Sequence, residues 1–168
     1  LNAGPAGTRQ GDVSFANNDL NENPFNFRIT GVVSGTPEIE VWGSSVYIAD
    51  GDTTPMTGDG TDFGTTPTGT PVSREFTVFN FGTAALATSG LTVPSGFTVT
   101  EDLSASIAIS GSGTFTVRLD ASAVGTYQGE VSFANDDLNE NPFNFWITGV
   151  VALPAVSITN YSLTSTGG

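Results

Sequence analysis

Residues 11–33, GDVSFANNDLNENPFNFRITGVV, return at 129–151 as GEVSFANDDLNENPFNFWITGVV. The offset is 118 residues (129 − 11), and pairing 1–33 with 119–151 leaves 25 of 33 positions identical. A period this long exceeds one solenoid turn and suits a whole all-β domain. The chain therefore reads as a slice of a tandem array. Residues 1–33 are expected to be the C-terminal hairpin of a preceding repeat and 34–151 a complete repeat. Residues 152–168 are expected to be a linker or the first strand of a following domain.

The duplicated segment carries its own fold signal. In 126–135, Val131 and Phe133 alternate with Glu130 and Ser132. In 143–151, Phe143, Phe145 and Ile147 share one face against Asn144, Trp146 and Thr148. A period of two is the mark of a half-buried strand. The turn-rich DDLNENP between the two runs predicts an antiparallel hairpin. The two copies differ on the wet face, with Asp12 for Glu130 and Arg28 for Trp146, and no inner position differs in the central part of either strand. Short alternating runs continue at 38–42, 46–49, 73–81, 84–92, 96–100, 106–110 and 113–119, with 50–72 read as loop. No stretch has helical periodicity. The fold class this predicts is all-β, an antiparallel β-sandwich. Past the second hairpin, Pro154-Ala155-Val156-Ser157-Ile158 echoes Pro37-Glu38-Ile39-Glu40-Val41, and the likeness then stops.

Several spaced motifs agree in order with one known type of domain. They are IADGDTTPMTGDGTDFGTTPTGTPVSREFTVFNFGTAAL, GFTV, GTFTVRLD, GTYQGEVSFANDD and NPFNFWITG. Together they resemble the choice-of-anchor D family, bacterial relatives of the Hydin-type immunoglobulin-like domains. The resemblance spans about 37–151 and the leading half-copy. It implies an immunoglobulin-like sandwich of about seven strands in large exported or surface-anchored proteins. It supplies no catalytic residues.

Composition narrows the function classes. Four Arg, no Lys and seventeen acids give a net charge of −13. Such a chain repels phosphates, so nucleic acid and anionic membrane are not expected partners. No apolar run is long enough for a membrane span, so none inserts directly here. His and Cys are absent. That removes Ser–His and Cys–His pairs, His-based zinc sites and disulfides. Without Lys there is neither a Schiff base nor a Lys–Asn isopeptide staple. The expectation is a non-enzyme, extracellular or at the cell surface of a bacterium or archaeon.

Two acidic loops are candidate calcium sites. One holds Asp50, Asp52, Asp59 and Asp62; the other holds Asp136, Asp137, Asn139 and Glu140, echoed by Asn18, Asp19, Asn21 and Glu22. Calcium takes about 6–8 oxygen ligands, which such loops can offer. Neither has EF-hand spacing. Asp, Asn and Gly also build turns by side-chain-to-backbone hydrogen bonds, and both readings stand. Phe25, Phe27, Phe143 and Phe145 fall at core spacing, which argues against a carbohydrate platform there. Trp42 and Trp146 are the candidates for surface contact with a neighbouring domain, another protein or a glycan. Asn160-Tyr161-Ser162 is a glycosylation sequon.

Alone, the 1–33 hairpin leaves Phe15, Phe25, Phe27 and Ile29 without cover, and a two-stranded unit is marginal in water. The cover is either the preceding part of the parent chain or another molecule, with 152–168 a candidate donated strand. The expected function is a structural repeat module of a stalk, filament or coat. Its partners are neighbouring copies of the same repeat, joined end to end or by strand complementation. The alternative is a carbohydrate- or protein-binding module of a larger exported adhesin or enzyme.

Overall fold

The computed structural model describes residues 6–155. The sequon at 160–162 and the Val156–Ile158 alternation lie outside the described residues, as do Leu1–Pro5 and the rest of the tail. Twelve strands are described. They are β1 (Gly7–Phe15), β2 (Phe25–Val33), β3 (Ile39–Gly43), β4 (Val46–Ile48), β5 (Asp62–Pro67) and β6 (Val72–Asn80). They continue as β7 (Leu86–Thr92), β8 (Phe97–Glu101), β9 (Ser106–Ile107), β10 (Ser112–Leu119), β11 (Gly125–Asn135) and β12 (Phe143–Ala152). No helix occurs among the described residues, so none is there to cross a membrane.

Strands β3–β12 form two five-stranded sheets, ordered β4-β3-β6-β10-β8 and β5-β12-β11-β7-β9. Each sheet turns its period-two apolar face toward the other, as sandwiches do. Phe76 and Val78 of β6 and Phe115, Val117 and Leu119 of β10 are fully buried from one side. Val131, Phe133, Phe143, Phe145 and Ile147 of β11 and β12 meet them from the other. The rings form a chain through the centre: Phe115–Phe76, Phe76–Phe145 and Phe133–Phe143 have centroids 5.3, 5.3 and 5.7 Å apart. Such tilted and offset pairs add about 0.5–1.5 kcal/mol each beyond area burial.

The sandwich has ten strands rather than about seven, and the added ones are short. The reading of 50–72 as loop fails at β5. Phe63 there is buried, and β5 pairs with β12 in parallel, so the sandwich is not wholly antiparallel. Its ladder partner lies more than eighty residues away (Asp62 with Thr148) and the strand holds one large hydrophobe. No local alternation announces it. Residues 51–52 extend the same cover. Gly51 donates to the Asn144 carbonyl (2.8 Å), and Trp146 N–H donates to the Asp52 carbonyl (2.8 Å).

The segment between β2 and β3 is tied to the β6–β7 turn. The Thr36 carbonyl accepts from Thr83 N–H (2.7 Å) and Ala84 N–H (3.2 Å), and the Glu38 carbonyl accepts from Phe81 N–H (2.8 Å). The two chains run so close here that a Cβ on Gly82 would sit 2.4 Å from the Thr36 oxygen.

Strands β1 and β2 pair only with each other among the described residues. Their register, Gly7 with Val33 through Phe15 with Phe25, matches Gly125 with Val151 through Phe133 with Phe143, pair for pair. The duplicated sequence thus folds twice into one hairpin, once inside a sandwich and once outside it.

Candidate functional site

Two loops close the hairpins, and they are built alike. Asn17 N–H donates to Asn23 Oδ1 (3.1 Å) as Asn135 N–H does to Asn141 Oδ1 (3.2 Å). Asn17 Nδ2 donates to the Glu22 carbonyl (2.9 Å), and Asn135 Nδ2 to that of Glu140 (2.7 Å). Asp19 N–H donates to Asn17 Oδ1, and Asp137 N–H to Asn135 Oδ1. Both loops carry a cis Asn–Pro bond, at Asn23-Pro24 and Asn141-Pro142. The loop therefore folds by its own hydrogen bonds, with or without a sandwich behind it.

The apolar faces behind those loops differ entirely in surroundings. Phe15 and Phe27 are 52% and 46% exposed, while their counterparts Phe133 and Phe145 are 2% and 0% exposed. Val13, Phe25 and Ile29 are exposed too, so the patch is contiguous along the hairpin. Exposed apolar patches of this kind mark contact surfaces.

The acidic candidates scatter. Asp50 Oδ1 accepts from Asn144 N–H (2.9 Å), Asp52 Oδ1 from Thr54 N–H (2.8 Å) and Asp62 Oδ1 from Gly64 N–H (2.8 Å). The buried Asp59 takes Thr61 N–H (2.9 Å) and the Thr61 hydroxyl (2.6 Å). Asp52, Asp59 and Asp62 cap turns, Asp50 ties its loop to β12, and the four do not share one ion-sized cluster. Asp136 accepts from Ala87 N–H (2.8 Å), which ties the second loop to β7. Asn139 donates its N–H to Asp137 Oδ1 at 3.4 Å, inside the loop.

Asp137 and Glu140 do come together, and Glu38 joins them. One carboxylate oxygen from each lies within 4.8 Å of the others. Asp137 is 3% exposed, and its Oδ2 accepts from Ile39 N–H at 3.0 Å. Glu140 Oε2 is buried without a hydrogen-bond partner among the described residues. Burial, and then the negative charges of Asp137, Glu38, Asp50 and Glu40, push the Glu140 carboxyl above the usual glutamate range. Three carboxylates could hold a hard cation, though calcium would need further oxygens. Glu38 lies about a hundred residues upstream and gave no sequence signal. Only the fold brings it to the loop.

The two tryptophans sit on opposite outer faces. Trp146, on β12, is 36% exposed. Trp42, on β3, is half-buried, and its Nε1 donates to Glu40 Oε2 at 2.9 Å.

A ten-strand, two-sheet sandwich with a second closing hairpin beside it defines an immunoglobulin-like module. The family model described as HYDIN/CFA65/VesB-like, Ig-like domain matches residues 56–149. That is more than half of the 168 residues, and the chain belongs to this family. Such a domain is a structural or binding module. No curated protein matches the chain. A Porphyromonas gingivalis W83 protein of unknown function has a similar solved structure, with TM-score 0.50 and 12% identity over 87% of this chain and 66% of that one. The ASH/PapD-like domain 7 of human CEP192 gives TM-score 0.47 and 15% identity over 56% of this chain and 81% of that domain. Vibrio cholerae VesB protease gives 0.43 and 23% over 54% of this chain and 29% of the protease. The chain thus spans just under two thirds of the Porphyromonas protein and under a third of VesB.

Proposed function

We propose that this chain is a repeat module of an exported or cell-surface structural protein of a bacterium or archaeon, close in type to choice-of-anchor D proteins. In this reading 34–151 is one bead, 1–33 is the closing hairpin of the bead before it, and 152–168 leads toward the next. The module is non-catalytic, and its partners are neighbouring copies of the same bead.

One observation carries the proposal. The same inner residues are buried in β11–β12 and bare in β1–β2, with strand register preserved. The complement that covers the second hairpin is strands β3–β10. A copy of those strands is therefore the surface that fits the first. Full burial of a large apolar side chain stabilises by about 1.5–3 kcal/mol, so covering Phe15, Phe25, Phe27 and Ile29 is a strong drive to assembly. A surface of net charge −13 keeps such an array soluble.

The test is a fusion. Residues 34–118 placed directly before Leu1 restore the repeat spacing and supply the missing strands. The fused protein is expected to protect the amides of β1–β2 from hydrogen exchange as well as those of β11–β12. If β1–β2 stays as unprotected as in the present chain, the bead reading is wrong. Electron microscopy of the present chain at high concentration then separates end-to-end fibres from discrete particles.

The calcium reading narrows to Glu38, Asp137 and Glu140. A ligand that binds only the native state raises the melting temperature. Calcium is expected to do so relative to chelator, and an unchanged melting temperature removes calcium from the proposal.

A further inference from the structure

The outer face of the β4-β3-β6-β10-β8 sheet carries a constellation unrelated to the hairpins. Trp42 of β3 and Thr77 and Phe79 of β6 lie on its solvent side. The β3–β4 turn adds Ser44 and Ser45, and the start of β6 adds Arg74 and Glu75. They line a groove of about 600 Å³, within the roughly 300–1,000 Å³ range of small-molecule sites.

The groove is organised in advance. Besides the Glu40 bond, the Trp42 ring is held by Tyr47 and Phe79, whose centroids lie 6.3 and 6.2 Å away at 73° and 79°. Both meet the indole nearly edge-on, so neither is stacked flat on it. Ser44 and Ser45 have φ of 50° and 66°, uncommon for residues other than glycine. Gly43 beside them lets the Asp59 backbone pack against the base of the turn, because a Cβ there would lie 2.0 Å from the Asp59 carbonyl oxygen. Arg28 and Arg118 are engaged by Asp12 and Asp120, whereas Arg74 has no acid partner among the described residues.

We propose that this groove is a carbohydrate subsite for a neutral saccharide chain. A sugar ring packs against Trp42, and its hydroxyls bond to Glu75, Arg74 and the flanking serine and threonine side chains. Three features select this ligand. First, the floor strands have no free edge. β3 lies between β4 and β6, and β6 lies between β3 and β10, so a peptide cannot add as a strand here. Second, one Arg and one Glu cancel within the groove, while the surroundings are acidic. The Tyr47 hydroxyl is pushed above the usual tyrosine range by burial and then by Glu140, Glu40, Asp50 and Glu38. Phosphates and acidic peptides are repelled by that field. Third, an aromatic floor ringed by mixed donors and acceptors matches a molecule with apolar C–H faces and many hydroxyls.

The site does not depend on how beads join, so it stands or falls separately from the array. The chain has two tryptophans, Trp42 in the groove and Trp146 on the opposite sheet. Their indole N–H signals in a ¹⁵N-labelled full chain report the two faces separately. The probes are cellohexaose, chitohexaose, xylohexaose and maltohexaose, with polygalacturonate and polylysine as charged comparisons. At least one neutral oligosaccharide is expected to shift the Trp42 signal and leave that of Trp146 in place. Trp42→Ala is expected to lower its affinity at least about tenfold. If Trp42→Ala does not fold, the exposed Glu75→Ala reads the same site and is expected to weaken binding several-fold. The proposal is overturned if no neutral oligosaccharide moves the Trp42 signal. It is equally overturned if binding survives these substitutions, or if only a charged polymer binds the groove.

Discussion

The two hairpins form a controlled comparison made by the molecule itself. β1–β2 and β11–β12 share sequence, register and loop hydrogen bonds, and differ in what lies behind and beside them. Beside β12 run β5 and residues 51–52; beside β11 runs β7. Neither β1 nor β2 has such a neighbour among the described residues. Local sequence is therefore enough to specify the ribbon and its loop. Long-range packing decides whether that ribbon is a core element or a contact surface.

The largest expected contrast is in the aromatic pair. Phe145→Ala is expected to cost about 3–5 kcal/mol in urea unfolding, as buried Phe truncations do. Phe27→Ala, the same change in the uncovered copy, is expected to stay within about 0.5 kcal/mol. Equal losses would show that β1–β2 is covered in solution and break the comparison.

Next comes the buried aspartate. Asp137 satisfies the Ile39 N–H, so Asp137→Ala leaves that buried donor unpaired. A loss of about 1–3 kcal/mol is expected. Asp19→Ala, which disturbs only the loop, is expected to lose less. A thermal-melting series on the two variants measures the difference, and a larger loss at Asp19 would contradict the shared-loop account.

The pH dependence of Glu140 sharpens the comparison further. Its carboxyl titrates above its unfolded value, so the folded state binds the proton more tightly. That contribution is fully present below the ordinary glutamate range, near about 4.3, and is lost as pH rises through the raised folded value. Glu140→Gln is therefore expected to raise the urea midpoint modestly at neutral pH and not below about pH 4. The side chain is only partly buried, so solvent screening keeps the effect small. Glu22→Gln, its counterpart in the uncovered hairpin, is expected to leave the midpoint unchanged at both pH values.

The smallest effect belongs to the Arg28–Asp12 pair. Its 3.0 Å contact joins side chains that are 67% and 62% exposed, a setting worth about 0–1 kcal/mol. Arg28→Ala is expected to change stability by no more than that in guanidinium titration.

Much of this architecture was legible in the sequence because the signal was local. Alternation placed Phe133, Phe143 and Phe145 inside, with Phe76 and Val78 inward and Phe115 and Val117 sharing one face; the fold sets these two groups opposite each other. The repeat comparison sorted the faces, since the central strand positions that varied, Asp12/Glu130 and Arg28/Trp146, are outer ones. What escaped was non-local. β5 is a strand by virtue of β12, and the loop-like composition around Phe63 concealed it. Of the eight residues read as calcium candidates, Asp52, Asp59 and Asp62 serve as turn caps and Asp50 holds the Asn144 N–H of β12. The acid cluster that does form recruits Glu38 from the opposite sheet's leading segment. Similarly, Trp42 could be singled out by type, but its groove depends on residues of β6 that only pairing brings alongside.

The tie between residues 36–38 and the β6–β7 turn has a mechanical consequence. With Thr36 and Glu38 bonded to Phe81, Thr83 and Ala84, and Gly35 packed against the Thr83 carbonyl, the joint after Val33 narrows to Ser34. In the array proposed above, successive units would therefore be joined by a very short elbow.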